Sequence, residues 1–162
     1  MASLIQQLRN PFKLKLFFIT KLPMALLAGL GIETIDDTKA SIRLKYGYLT
    51  KNPFKSLYFA CLAMAAELAS GVLVLTAVDQ SNKAVSTLVT AMEARFFKKG
   101  MGKVVFTCED GEAIAKALQL SISSQQGVEV QTTSTGKDEQ GDVVAVFTIT
   151  WSLKVKKSSL ST

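Results

Sequence analysis

The spacing of apolar positions changes several times along the chain, and each change predicts a different element. Residues 2–32 are mostly apolar with scattered basic residues, and Pro23 interrupts them. This pattern predicts two short helices divided at Pro23 and packed on the domain, as an N-terminal helical extension over residues 1–29. Lys15 and Lys21 break the apolar run, so a signal peptide or a stable membrane insertion fits poorly, and peripheral membrane contact is a second interpretation.

A two-residue period follows in the segment ASIRLKYGY at residues 40–48, where Ile42, Leu44 and Tyr46 alternate with basic residues. Strict alternation is typical of a strand with one buried face. The preceding LGIETIDDTK contains a short apolar run and an Asp-Asp turn, so residues 30–48 are predicted to form a hairpin.

The segment KNPFKSLYFACLAMAAELASG, residues 51–71, has no two-residue period and is rich in Ala, Leu and Met. Its length and composition predict a long helix that begins near Ser56 or Leu57. Because the helix is apolar on nearly every side, it should be buried. Glu67 is its one acidic residue, with small or apolar helical neighbours that offer no positive charge.

The second half of the chain predicts strands at 86–97 and 103–110, joined as a hairpin by the turn KKGMG. A shorter amphipathic helix at 111–123 and a long final hairpin around KDEQG follow. A buried helix between two sets of antiparallel strands favours an α+β domain over residues 30–157, with a curved antiparallel sheet wrapped around the helix. Residues 158–162 are predicted to be a disordered tail.

The amino-acid composition excludes several classes of catalytic site and metal site. The 162 residues include no histidine, which excludes Ser-His-Asp and Cys-His catalysis and every histidine-containing metal site. Cys61 and Cys108 lack a CxxC or disulfide spacing, so they are predicted to be buried thiols of a cytoplasmic protein. Residues 1–60 hold nine basic and three acidic residues, and this excess suggests an anionic partner or a solvated basic surface. Aromatic residues are not interleaved with the basic ones, so nucleic acid is not an expected partner.

The central segment resembles the hotdog-fold acyl-CoA thioesterases of the phenylacetyl-CoA type. It is still more similar to a bacterial branch of that superfamily whose central helix carries Glu. Asn52 precedes Glu67 by fifteen residues, LAMAAELASG matches the central helix, and FFKKGMGKVVFTCED matches the basic segment that follows. The likeness extends from about residue 30 to 156.

The resemblance implies a hotdog fold and hydrolysis of an acyl thioester. Glu67 would act as general base or nucleophile, Asn52 would position substrate or water, and the backbone N–H groups of Phe59 and Ala60 would bind the oxyanion. Candidate substrate-binding residues are Ser56, Tyr58, Ser70, Arg95, Lys98, Lys99 and Lys103, the basic ones either meeting coenzyme A phosphates or forming a solvated turn. No metal is expected, nor any cofactor beyond the coenzyme A moiety of the substrate.

Helix geometry makes a further prediction about assembly. Glu67 follows Phe59 by eight residues, roughly 12 Å along one helix, so both cannot reach a single carbonyl. A homodimer would bring the base of one subunit to the donors of the other, and the sequence leaves open whether dimers pair into a tetramer. Tyr58 and Phe59 stand where these thioesterases usually have His and Gly, and Lys55 replaces a glycine. A non-catalytic hotdog protein that binds acyl-CoA or a fatty acyl ligand is therefore the alternative. A further alternative, in which Glu67 reaches solvent or pairs with Lys98 or Lys103, stays open.

Overall fold

A computed structural model describes residues 3–156, which form helices at the N-terminus and a six-stranded sheet around one long helix. The helices are α1 (Leu4–Arg9), α2 (Pro11–Lys21), α3 (Pro23–Leu27), α4 (Phe59–Ser81) and α5 (Gly111–Ser124). The strands are β1 (Gly31–Ile35), β2 (Ala40–Lys45), β3 (Val85–Phe96), β4 (Lys103–Cys108), β5 (Val128–Asp138) and β6 (Val143–Val155). The predicted tail at 158–162 lies outside the described residues.

The sheet is antiparallel throughout and has the strand order β1-β2-β4-β5-β6-β3. Helix α4 packs against β2, β4, β5 and β6. A buried hydrogen bond ties sheet to helix, since the Ser134 hydroxyl donates to the Ala66 carbonyl at 2.7 Å. The predicted α+β architecture, a curved sheet around one long helix, is confirmed. The first and the last of the predicted hairpins along the chain, β1–β2 and β5–β6, are also confirmed.

Helix α4 is buried along most of its length because it has apolar or small side chains on every side. Twelve of its 23 residues are buried, and it ends where Asn82 adopts a left-handed conformation. It is long and apolar enough to span a membrane, but 67% of its most apolar window is buried inside the domain. Its composition therefore reflects a central position in the fold.

The start of α4 differs from the prediction, because the helix begins at Phe59 rather than near Ser56 or Leu57. Backbone bonds hold the preceding residues extended: Leu57 donates to the Gly100 carbonyl at 2.8 Å and Tyr58 donates to the Thr50 carbonyl at 2.8 Å. These bonds compete with helix formation at Leu57 and Tyr58, so residues 52–57 form a loop and the helix begins only at Phe59.

The predicted hairpin between β3 and β4 is wrong. β3 pairs only with β6 among the described strands and lies at an edge, whereas β4 lies between β2 and β5. The connecting segment is held by the β5–β6 unit instead, since Phe97 donates its N–H to the Val144 carbonyl at 2.9 Å. The turn residues suited a hairpin, but pairing with more distant strands decided the topology.

The N-terminal extension contains three helices rather than the predicted two. The additional break is at Asn10, whose side chain accepts from the N–H groups of Phe12 and Lys13 and so caps α2, with Pro11 as its first residue. Arg9 fastens the extension to the sheet, because its guanidinium donates to the Ile35 carbonyl at 2.7 Å. Tyr46, predicted on the buried face of β2, lies just beyond that strand and is 38% exposed.

Candidate active site

A groove of about 500 Å³ opens at the N-terminus of α4. The loop before the helix forms one wall, and the segment that follows β3 forms the other. The groove gathers six of the predicted site residues, which are far apart in sequence. They are Asn52, Ser56, Tyr58, Phe59, Lys98 and Lys99.

The first backbone N–H groups of α4 are available as donors in this groove. Tyr58 is the N-cap, and its side chain makes no capping hydrogen bond. The N–H groups of Cys61 and Leu62 bond to the Tyr58 carbonyl, whereas those of Phe59 and Ala60 have no partner among residues 3–156. Free N–H groups at the positive end of a 23-residue helix are suited to an anionic oxygen.

Asn52 organises the loop that leads into the groove. Its side-chain oxygen accepts from the N–H groups of Phe54 at 2.9 Å and Ser56 at 3.2 Å. Its amide nitrogen donates to the Ser56 hydroxyl at 3.1 Å and to the Leu57 carbonyl at 3.2 Å. Both ends of the amide are therefore engaged within the loop, and this arrangement positions the start of α4.

Glu67 lies two turns farther along α4, in a second pocket of about 220 Å³ between α3 and α4. The pocket wall is otherwise mostly apolar and comprises Lys21, Leu22, Pro23, Met24, Ala25, Met64 and Leu68. No described residue donates a hydrogen bond to the Glu67 carboxylate or forms an ion pair with it. Burial raises the pKa of this carboxyl above its ordinary value of 4.5, because the charged form loses hydration without gaining a partner.

Two neighbours shape the space around Glu67. A Cβ atom added to Gly71 would lie 3.0 Å from the Glu67 carboxylate oxygen Oε1, so the glycine leaves room for the carboxylate beside the helix. Ser70 does not bond to that carboxylate. Its hydroxyl donates to the Glu67 backbone carbonyl at 3.1 Å and accepts from the Trp151 indole N–H at 3.0 Å, which anchors α4 to β6.

The predicted basic cluster does not form as one group. Lys98 contacts two carboxylates of the β5–β6 turn, Asp138 at 2.7 Å and Asp142 at 2.8 Å. Lys99 reaches the Phe54 carbonyl at 3.3 Å across the groove. Lys103 pairs with Glu33 at 3.2 Å, and Arg95 contacts Glu93 at 3.4 Å on the exposed edge strand. Neither Lys98 nor Lys103 therefore pairs with Glu67.

The wall around Glu67 is the part of the site that sequence reasoning missed. The part of this wall that lies outside α4 comes from residues 21–25, more than forty positions before the carboxylate. The available signal was Pro23, which places a helix start and a turn at this point. Nothing in the spacing of the apolar residues indicates that this helix lies over Glu67.

Comparison with known proteins relates this architecture to solved structures. A Pseudomonas aeruginosa protein of unknown function, described as a probable thioesterase, matches with TM-score 0.76 and 25% identity, covering 91% of this chain and 97% of that one. A Chlorobaculum tepidum protein of unknown function matches at TM-score 0.76 and 18% identity, over 90% and 94% of the two chains. A Haemophilus influenzae thioesterase matches at TM-score 0.67 and 11% identity, over 94% and 95%.

These matches confirm the predicted hotdog fold, in which the sheet wraps around the long central helix. No curated protein matches the sequence. The model of the family described as a domain of unknown function, DUF4442, matches residues 13–153 and so spans most of the sheet and all of α4. The chain belongs to the DUF4442 family.

Proposed function

We propose that the protein is a thioester hydrolase that acts on acyl-CoA or a related acyl thioester. The observation that carries this proposal is the unpaired Glu67 carboxylate, which lies in an apolar pocket on the same helix whose N-terminus presents free N–H groups. A raised pKa makes a carboxylate a stronger base. The thioesterase structures that share this fold support the reaction class.

In the proposed reaction, the Glu67 carboxylate takes a proton from water while the water oxygen bonds to the thioester carbonyl carbon. The carbonyl oxygen becomes an oxyanion, which the N–H groups of Phe59 and Ala60 stabilise. The carbon–sulfur bond then breaks, and the leaving thiolate takes the proton, so free acid and free thiol are released. In the alternative route the Glu67 carboxylate attacks the carbonyl carbon and the carbon–sulfur bond breaks, which gives an anhydride and the thiolate. Water then hydrolyses the anhydride to free acid and the Glu67 carboxylate, and the proton released goes to the thiolate.

The two halves of this chemistry must come from different subunits, because Phe59 and Glu67 are roughly 12 Å apart along one helix. The edge strand β3 offers the surface for a second copy, since twelve residues have one unpaired side among the described strands. Met92 pairs with the buried Ile149 and so faces the helix side of the sheet, yet it is 45% exposed. A second copy would cover this face.

We therefore expect Met92→Asp to weaken dimerisation, because it places a charge in the covered interface. Sedimentation or light scattering should show a dimer for the wild type and a monomer for the variant at micromolar concentration. Leu120→Asp is the matched control, since Leu120 is similarly exposed on α5, away from β3. A dimer that survives Met92→Asp while Leu120→Asp disrupts it would contradict the assignment of β3.

The groove at the helix N-terminus is the proposed entry for the coenzyme A moiety. Lys99 lines it and makes no ion pair with any described residue. Its hydrogen bond to the Phe54 carbonyl at 3.3 Å leaves two ammonium N–H groups for a phosphate. Lys98 is already held by Asp138 and Asp142, which leaves it a weaker candidate. Lys103 and Arg95 do not line the groove and are not assigned to the substrate.

Non-catalytic binding of an acyl-CoA is the second candidate function, and one observation favours it. The rings of Tyr58 and Phe59 lie edge to face at 5.0 Å directly at the helix N-terminus, where Phe59 is 59% exposed. These rings narrow the approach to the free N–H groups. A protein that only binds should gain thermal stability with acyl-CoA while releasing no thiol.

Thiol release from acyl-CoAs of increasing chain length, measured between pH 5 and 9, separates the two functions. We expect release to increase with pH and then level off, with a midpoint above 4.5, the ordinary pKa of glutamate, because burial keeps Glu67 protonated at lower pH. Background release with every chain length, together with a raised melting temperature, would support binding alone. A rate that falls across this range as the pH increases would contradict the role of Glu67 as a base.

A further inference from the structure

Helix α2 exposes an apolar stripe that no described residue covers. Phe12, Leu16 and Ile19 are 78%, 53% and 52% exposed. At 3.6 residues per turn they fall within an arc of about 60° on one side of the helix. The opposite side of α2 already packs on the domain, since Phe18 is 2% exposed and belongs to the core. The stripe therefore faces away from the core, on a surface where a partner can bind.

The stripe is bordered by positive charge. Lys15 and Lys13 lie on its two sides, whereas Lys21, at the end of the helix, lies on the opposite side. None of the three forms an ion pair with a residue in the described part of the chain. Residues 1–32 contain four basic residues and no acidic residue, so this segment by itself carries a net positive charge. An apolar face flanked by lysines is complementary to a surface that is apolar inside and anionic outside.

We propose that α2 docks the protein on an anionic lipid bilayer, with the stripe of Phe12, Leu16 and Ile19 at the acyl boundary and the lysines among the headgroups. A second copy of the chain fits the same face poorly, because symmetric packing would bring the lysines of two subunits together. The 11 residues of α2 are too few to span a bilayer, so the contact is peripheral. It is independent of the proposed hydrolase reaction.

Vesicle co-sedimentation of the full chain tests the proposal. We expect binding to vesicles of phosphatidylglycerol and phosphatidylcholine that weakens as salt increases, and little binding to phosphatidylcholine alone. Lys13→Glu with Lys15→Glu should lower the partition coefficient by roughly 30-fold or more, from the loss of two cationic contacts. Leu16→Ser with Ile19→Ser should lower it by more than about 10-fold, from the loss of apolar burial.

Leu120→Ser is the matched control, because it removes an exposed leucine from α5 without changing α2, and it should bind vesicles like the wild type. All of these positions are exposed, so the variants should keep the wild-type melting temperature. Equal binding to neutral and anionic vesicles, or no binding to either, would overturn the proposal. So would a lower molecular mass in solution for Leu16→Ser with Ile19→Ser, since the stripe would then be an interface between copies of the chain.

Discussion

We expect Glu67→Gln to lower thiol release from the best acyl-CoA substrate by about 10²- to 10⁴-fold, the contribution of a positioned general base. Glutamine keeps the size of the side chain and fits the pocket beside Gly71, but it cannot accept the proton from water. The loss should appear in kcat, with the affinity for substrate little changed. Steady-state kinetics of the wild type and the variant make the comparison.

The same substitution should not reduce stability, which separates lost catalysis from lost folding. The pKa of Glu67 is raised in the folded protein, so the folded state keeps its proton to higher pH than the unfolded chain does. The contribution of this group to stability is therefore complete below the unfolded pKa and falls as the pH increases through the folded pKa. Glutamine cannot ionise, so Glu67→Gln should melt at an equal or higher temperature at pH 7.

Glu112→Gln is the matched control for the loss of one carboxylate. Glu112 lies on α5 with its side chain 76% exposed, and its partner is Lys116 at 3.9 Å. We expect this variant to hydrolyse at the wild-type rate. Full activity in Glu67→Gln would remove Glu67 from the reaction, while equal losses in both variants would point to a general effect of charge.

The elements that local patterns describe well were predictable from the sequence. The alternation around Ile42 and Leu44 identified β2, and both side chains are fully buried. The helical spacing at Ile114 and Leu118 identified α5, where both residues pack into the core. These signals depend on periods of two and 3.6 residues, which the chain carries within each segment.

Strand pairing was less predictable, because it depends on residues far apart in sequence. The KKGMG segment has the composition of a hairpin turn, yet it carries the chain from the edge strand β3 to the interior strand β4. Contacts with distant residues explain the path of this segment. Lys98 forms ion pairs with Asp138 and Asp142, and the Gly100 carbonyl accepts a hydrogen bond from the Leu57 N–H. All three partners lie at least 40 positions away in sequence, so rules that predict turns from neighbouring residues cannot anticipate these contacts.

The candidate site was predictable in its central helix and not in its surroundings. Glu67 stood out because an acid whose helical neighbours are all small or apolar is rare. Its pocket wall at residues 21–25 depends on how α3 packs, and the separation of Lys98, Lys99 and Lys103 depends on which acid lies nearest to each. Closeness in sequence therefore did not decide which basic residues line the groove, since Lys98 and Lys99 do and Lys103 does not.

Gly111→Ala should lower the free energy of unfolding by about 3 kcal/mol, although alanine normally favours a helix over glycine. Gly111 begins α5 where the helix meets the β1–β2 turn, and it donates its N–H to the Thr38 carbonyl at 3.0 Å. A Cβ atom there would overlap the backbone of Asp37 and Thr38, so the helix and turn would have to separate. We expect thermal unfolding to show a melting temperature roughly 10 °C lower. Gly127→Ala, whose Cβ would make only an ordinary contact with Lys154 at 3.9 Å, should melt like the wild type. Equal stability of the two variants would mean that the turn yields easily and that the close packing of α5 on β1–β2 contributes little.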